Sequence, residues 1–338
     1  MSIRELVLRS WQQANLLTVF LWPLSLVYRL LFAFNKTLYS VGLKSAYRAP
    51  VPVIVVGNLT VGGTGKTPMV IYLVEQLRAR GYSPGVISRG YLASANGGAV
   101  TVSVAVDTPI AQSGDEAAMI VRRTQVPMVV SSNRRAACEK LLSHSSVDII
   151  ISDDGLQHHA LARDVEICLL DETTKQTNYF LLPAGPYRES LARLDSIDLQ
   201  VIHKPSTQQL NRQSNEHESS PNDGQFIMHL RASQPSPLDE HGGQFNADKT
   251  THAVAGIANP QRFFDICRSL GYTIEEHAFA DHHPFSEGDL DFGVNTQVLM
   301  TEKDAIKCAN FNNSGRWFLP VEAKLGIGFV HALIEKLN

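Results

Sequence analysis

Excess charge and paired cysteines are both missing from this chain. Its 30 Lys and Arg nearly balance 33 Asp and Glu, for a net charge of -3 over 338 residues. That balance lacks the basic excess of a phosphate-backbone binder, so nucleic acid is not an expected partner. The four cysteines, Cys138, Cys168, Cys267 and Cys308, are far apart and show no metal-ligand spacing. They fit small buried residues of a reducing compartment better than a disulfide framework. No internal repeat of fixed period occurs. Long apolar runs are also scarce, and the single candidate is interrupted: "NLLTVFLWPLSLVYRLLFAFNK", Asn15 to Lys36, contains Pro23 and Arg29. A full membrane span needs about 20 apolar residues. A helix lying in the membrane interface, or a poor span with Arg29 snorkelling, is therefore the preferred reading, with Trp22 and Tyr28 at headgroup level. A buried core helix is the alternative. No small-residue cleavage pattern follows, so a signal peptide is not expected. Residues 1–48 carry six basic side chains, Arg4, Arg9, Arg29, Lys36, Lys44 and Arg48, against Glu5 alone, a local charge of +5 that suits an anionic membrane surface.

What the chain does have is a phosphate-binding loop without its first glycine. In "VVGNLTVGGTGKTP", Gly65, Lys66 and Thr67 complete the usual Gly-x-x-x-x-Gly-Lys-Thr pattern, but Thr60 stands where that pattern begins. The loop follows the apolar run "VPVIVVGN" and precedes the helical "PMVIYLVEQLRARGY", the context that a phosphate loop requires. Gly62, Gly63, Thr64 and Gly65 let successive N–H groups face phosphate oxygens at a helix N-terminus. Lys66 would reach the β- and γ-phosphates of ATP, and the Thr67 hydroxyl would bind Mg2+. The signature lysine of membrane-associated partitioning ATPases is absent, because Val61 occupies its place.

Further strand and helix patterns alternate, from "SPGVIS" to "DLQVIH", and imply an α/β fold with a mostly parallel sheet flanked by helices. Four regions are expected: an N-terminal membrane-associated helical segment at 1–48, a P-loop core at 49–205, a polar linker or loop at 206–224, and a smaller C-terminal α/β lobe at 225–338. "VDIIISDD" ends in Asp153 and Asp154 at the carboxyl edge of the sheet, where a magnesium-positioning pair belongs. Gln157, His158 and His159 follow it, as residues that orient the turn or the nucleotide, with metal ligation the alternative. "SRGY" offers Arg89 and Tyr91 to an anionic or sugar-like ligand. "GDE" places Asp115 and Glu116 at a helix start, where the helix dipole alone favours acids. "GPYRE" contributes Arg188 and Glu189, and "FADHHPF" contributes Asp281, His282 and His283.

Together, "VVGNLTVGGTGKTP", "SRGY", "GDE", "DDGLQHH", "GPYRE", "FADHH" and "MTEKDAIK" resemble, in order and spacing, the tetraacyldisaccharide 4'-kinases, the lipid A 4'-kinases of Gram-negative bacteria. The resemblance runs from the apolar N-terminus to about residue 308, and the variant loop start is itself a trait of that family. It implies a P-loop kinase that transfers the γ-phosphoryl of ATP to the 4'-hydroxyl of a tetraacyldisaccharide 1-phosphate in the inner membrane, giving lipid IVA, from the cytosolic face. It further implies Asp115 as general base, His282 as the histidine that assists it, Lys66 and Thr67 on phosphates and magnesium, and Asp153, Asp154 and Glu116 in the metal environment. Arg188 and Glu189 match nucleotide-site positions, and Tyr91 matches a position near the phosphate and acceptor, with Arg89 beside it as a further substrate-binding candidate. The Asp-His pattern favours His282 over His283. Split between lobes, the Asp–His pair is expected to assemble only on closure. Leu156 replaces a common Phe, and "LASANGG" differs from the usual continuation after "SRGY". A membrane-associated nucleotide switch and a soluble small-molecule kinase remain the alternatives. In the former, "TEKD" places the lysine of a guanine-reading motif one position late.

Overall fold

The computed structural model describes residues 3–90, 100–172, 178–204, 224–239, 243–293, 295–311 and 314–337. Tyr91 and nearly all of the polar stretch at 206–224 lie outside the described residues. Two helices, α1 (Ile3–Gln12) and α2 (Leu16–Ser40), precede β1 (Val53–Asn58). Then come α3 (Lys66–Arg78), β2 (Pro84–Ser88), β3 (Val102–Val104), α4 (Ile110–Ser113), α5 (Asp115–Thr124), β4 (Met128–Val130), α6 (Arg134–His144), β5 (Ile149–Asp153), β6 (Val165–Asp171) and β7 (Leu199–Lys204). The remainder forms β8 (Gln225–Ala232), β9 (Ser236–Pro237), β10 (Thr251–Ala255), α7 (Pro260–Ser269), β11 (Ile274–Ala278), β12 (Val298–Thr301), α8 (Glu302–Lys307), β13 (Arg316–Leu319), β14 (Val321–Leu325) and α9 (Ile327–Leu337).

A nine-stranded sheet runs in the order β14-β8-β7-β6-β1-β5-β2-β4-β3. Every residue of β1 is buried, as expected of a β-branched run with sheet neighbours on both sides and helices on both faces. β1 pairs in parallel with β5 and β6, so its carboxyl end opens beside that of β5, with Val56 opposite Asp153. A second sheet, β11-β10-β12-β13-β9, has four parallel strands and an antiparallel edge.

The sheets do not divide at residue 225. β8 and β14, both from the region expected to form the second lobe, pair with each other and extend the first sheet beside β7. The physical cause is the alternation in "QFIMHLRA", which buries Phe226 and Met228 in the core of the first sheet, where α9 adds Phe329, Val330 and Leu333.

Helix α2 begins with a capping box: Asn15 accepts from the Leu17 and Thr18 amides, and its own N–H donates to Thr18 Oγ1. It is long and apolar enough to cross a membrane by length and composition, and only 11% of its most apolar window is buried. Leu16, Phe20, Leu30 and Phe34 face outward. A core helix would bury these residues, so that alternative does not describe α2. Its inner side is tied down by Ser25, whose hydroxyl donates to Leu181 O and accepts from Ala184 N, and by Tyr28, whose hydroxyl donates to Arg188 O.

Candidate active site

The loop after β1 is held from one side by the "GPYRE" segment. Thr60 bridges to Tyr187 in antiparallel fashion, the Val61 amide donates to Pro186 O at 2.9 Å, and the Arg188 amide donates to Leu59 O at 2.7 Å. This answers the question of the missing glycine. Thr60 takes part in a strand-like bridge and has no positive φ, so the position asks for no glycine. Gly65 does require one: at φ 89 it caps α3, and a Cβ there would come within 3.0 Å of Met228 Cε. Lys66 opens α3, and its ammonium donates to Asn58 Oδ1 at 3.0 Å and lies 3.5 Å from Asp154 Oδ1. Gly62 and Gly63 border open space, Thr64 is buried with its hydroxyl unpartnered, and Thr67 sits half-buried in the first turn of α3.

The two carboxylates after "IIIS" differ sharply in surroundings. Asp153 is buried. Its Oδ2 accepts from Ser88 Oγ at 3.3 Å, while Oδ1 has no partner. Burial, reinforced by the neighbouring Asp154 charge, pushes its carboxyl up to about 6. Asp154 stands at φ 49, a left-handed conformation costly for a residue other than glycine and frequent at functional sites. Both of its oxygens accept from Arg188 Nη1 at 3.0 Å. Burial alone would raise the Asp154 carboxyl, but Lys66 and Arg188 outweigh it and hold the group below the usual range. Glu189, also buried, accepts from Gln157 Nε2 at 2.9 Å and pairs with Arg193 at 3.5 Å. Arg89 is exposed at the end of β2.

A second cluster joins the two sheets. Asp115, 5% exposed, starts α5 after Gly114, which adopts φ 82. Asp115 Oδ2 lies 3.0 Å from His282 Nδ1, 3.5 Å from Lys303 Nζ and 4.0 Å from Lys307 Nζ. Lys303 also donates to Glu116 Oε1 at 2.8 Å. Burial would lower the Lys303 pKa, yet Glu116 and Asp115 together raise it, so this lysine is a fixed positive charge. Lys307 is set by Asp304, a fully buried carboxylate that also accepts from Gly256 N and Thr301 Oγ1. His282 takes φ 61, and its amide bonds to Gly256 O. His283 turns elsewhere, to Asp289 at 3.3 Å. Of the two histidines, His282 is the one that contacts Asp115. The expectation that Asp115 and His282 meet only on closure is corrected: their contact is already made, because "FADHH" is held against α5 by the Gly256 and Asp304 network.

Helix α5, which opens at Asp115, packs against α3, which opens at Lys66, and the Glu116 charge is among those that raise the Asp153 carboxyl. Sequence reasoning missed Asn58, Ser88, Arg134 and both lysines of α8. Arg134 is buried and donates to Asp153 O. The available signal for the lysines was their spacing, four apart in "TEKDAIK", which puts both on one helical face. Magnesium fits the site by donor chemistry: Asp153, at the end of β5, has a buried carboxylate oxygen without a protein partner, and α3, which packs on β5, carries the Thr67 hydroxyl in its first turn, both hard oxygen donors.

Comparisons agree with this geometry. The sequence model of tetraacyldisaccharide-1-P 4'-kinase (LpxK) matches residues 17–338. The tetraacyldisaccharide 4'-kinase of Shewanella frigidimarina is 46% identical over 99% of this chain and 96% of its own length, and that of Shewanella pealeana is 45% identical over 98% and 96%. Among solved structures, LpxK from Aquifex aeolicus, crystallised in an "apo" form in complex with ATP, superposes with a TM-score of 0.77 at 28% identity, covering 95% of this chain and 99% of that one. With a phosphate loop, two strand-end aspartates and an Asp–His pair on one sheet edge, this chain belongs to the tetraacyldisaccharide-1-P 4'-kinase family.

Proposed function

We propose that the protein transfers the γ-phosphoryl group of ATP to the 4'-hydroxyl of a tetraacyldisaccharide 1-phosphate, giving lipid IVA. The observation that carries this is the Asp115–His282 pair, 3.0 Å apart, held on the same sheet edge as the phosphate loop. Asp115 accepts the proton of the attacking hydroxyl, and His282 orients the carboxylate and shares its charge. Lys66, freed from Asp154 by competing phosphate oxygens, neutralises the transferring group, and Arg188 is placed beside it by the same carboxylate. Glu189 fixes Gln157 and, through it, the turn that carries Asp154. Arg89 and Tyr91, after β2, belong to the acceptor side. Thr67 and Asp153 are the residues that would hold a magnesium ion, with Glu116 at the margin of the site, and the ion would supply screening of the phosphate charge. The acceptor is a membrane lipid. The exposed apolar side of α2, with Arg29 and Lys36, would rest on the anionic inner membrane from its cytoplasmic face.

The test is mass spectrometry of tetraacyldisaccharide 1-phosphate after incubation with the protein and Mg-ATP in mixed micelles. One added phosphoryl group, absent with Lys66→Ala, is expected. An unchanged lipid from protein that still binds ATP rules the activity out and favours a nucleotide switch.

A further inference from the structure

The second sheet carries metal-ligating groups that the kinase reaction does not use. The parallel β10–β11 ladder aligns His252 with Glu275 and Val254 with His277. With side chains alternating along each strand, His252, Glu275 and His277 therefore project from one face. His252 Nδ1 is 3.0 Å from His277 Nε2 and 3.4 Å from Glu275 Oε2, and the three ligand atoms lie within 4.8 Å of one another. The Phe292 ring stacks on the His252 imidazole at 4.3 Å between centroids and meets that of His277 at 4.2 Å, tilted by 33°, and so restricts both orientations.

We propose that His252, Glu275 and His277 form a second metal site, for a borderline divalent transition ion such as Zn2+. Zinc binds imidazole nitrogen at about 2.0–2.1 Å, which sets the edge of its coordination tetrahedron near ~3.3 Å. The observed separations of 3.0 and 3.4 Å bracket that edge, so an ion enters with shifts of a few tenths of an ångström. Two nitrogens and one carboxylate oxygen select zinc, nickel or copper; magnesium, an octahedral oxygen binder, is a poor match. The Glu275 side chain is 60% exposed while that of His252 is 17% exposed, so the carboxylate marks the entry side and water takes the fourth position. The ligands sit on the strands themselves, whereas Asp115 and His282 meet beyond the carboxyl end of β11. The four cysteines are buried and offer no competing surface thiol.

The experiment is Zn2+ titration by calorimetry of the full chain in detergent, after chelator treatment, with excess Mg2+ present to occupy hard oxygen sites. One equivalent is expected to bind. His277→Gln and His252→Gln should each weaken it by about tenfold or more, since loss of a ligand costs at least as much as loss of the groups behind one. His144→Gln, which alters an exposed histidine elsewhere, should leave the isotherm unchanged. No stoichiometric zinc in the unaltered protein, or an identical isotherm for folded His277→Gln, overturns the site. Should the variants lose their fold, Co2+ added to the unaltered chain decides: intense visible bands of a four-coordinate ion support the proposal, and their absence defeats it.

Discussion

Lys303 is the residue whose role differs most from its appearance in the sequence, where it reads as one lysine in a short helix. In the fold it bridges Glu116 at 2.8 Å and Asp115 at 3.5 Å from the other sheet. A single positive charge thus offsets the repulsion between two adjacent acids beside the Asp115–His282 contact. Lys303→Met is expected to lower kcat about tenfold or more with little change in KM for ATP, and Lys303→Arg to restore part of it, as steady-state kinetics will show. A merely structural lysine would instead lower thermal stability and kcat together, with no rescue. Asp115→Asn should leave ATP binding intact and lower turnover by about 10²-fold or more, the size of effect expected for a lost general base. Both results are read from kinetics beside ATP titrations. The site's local groups were legible in the sequence because loop, strand end and helix start each place their residues by backbone geometry alone. Lys303, Lys307 and Ser88 were not, because the groups they meet, Asp115 and Asp153, lie on elements remote in the chain.

Helices and strands were likewise read well where one face sufficed to define them. β1 and β5, apolar over 53–56 and 149–151, declare burial on both sides, and α2 declares an apolar exterior. What the sequence did not disclose about α2 is its inner side, where Ser25 and Tyr28 bond to the segment that carries Arg188, and Phe32 and Tyr39 pack against the His159 ring with centroids 5.5 and 6.3 Å away. Burial, followed by the Arg163 charge, lowers the His159 pKa to about 4 from 6.5. The folded protein therefore holds this imidazole neutral where the unfolded chain would protonate it. The resulting stability is present above about pH 6.5 and is lost as pH falls toward about 4. Thermal melts across that interval should show His159→Phe losing less stability than the unaltered protein, while the two respond alike above pH 7. An equal loss in both would remove His159 from the acid response.

At the scale of the molecule, the first sheet is finished by parts that arrive late in the chain. β8 and β14 lie side by side at its edge, and everything between them, including the whole second sheet, is inserted through that pair. A linear division at residue 225 misplaces both strands because periodicity reports which residues are buried, not which sheet buries them. Helix α9 then closes the first core: Phe329 is fully buried and packs edge-on to Phe226 at 5.3 Å between centroids. Phe329→Ala should cost about 3–5 kcal/mol of unfolding free energy, measured by denaturant titration, although it lies more than 200 residues from the phosphate loop. A loss below about 1 kcal/mol would mean that α9 is only loosely attached.

The paired strands at that edge also set a timetable. During synthesis the loop, both aspartates and β7 emerge long before residues 321–337, so a growing chain carries an unsealed sheet edge while the inserted portion is still being made. Premature termination or slow translation in this interval would therefore leave a half-built nucleotide fold exposed to aggregation, and the cell's chaperones would meet this protein at β8, whose outer edge waits for β14.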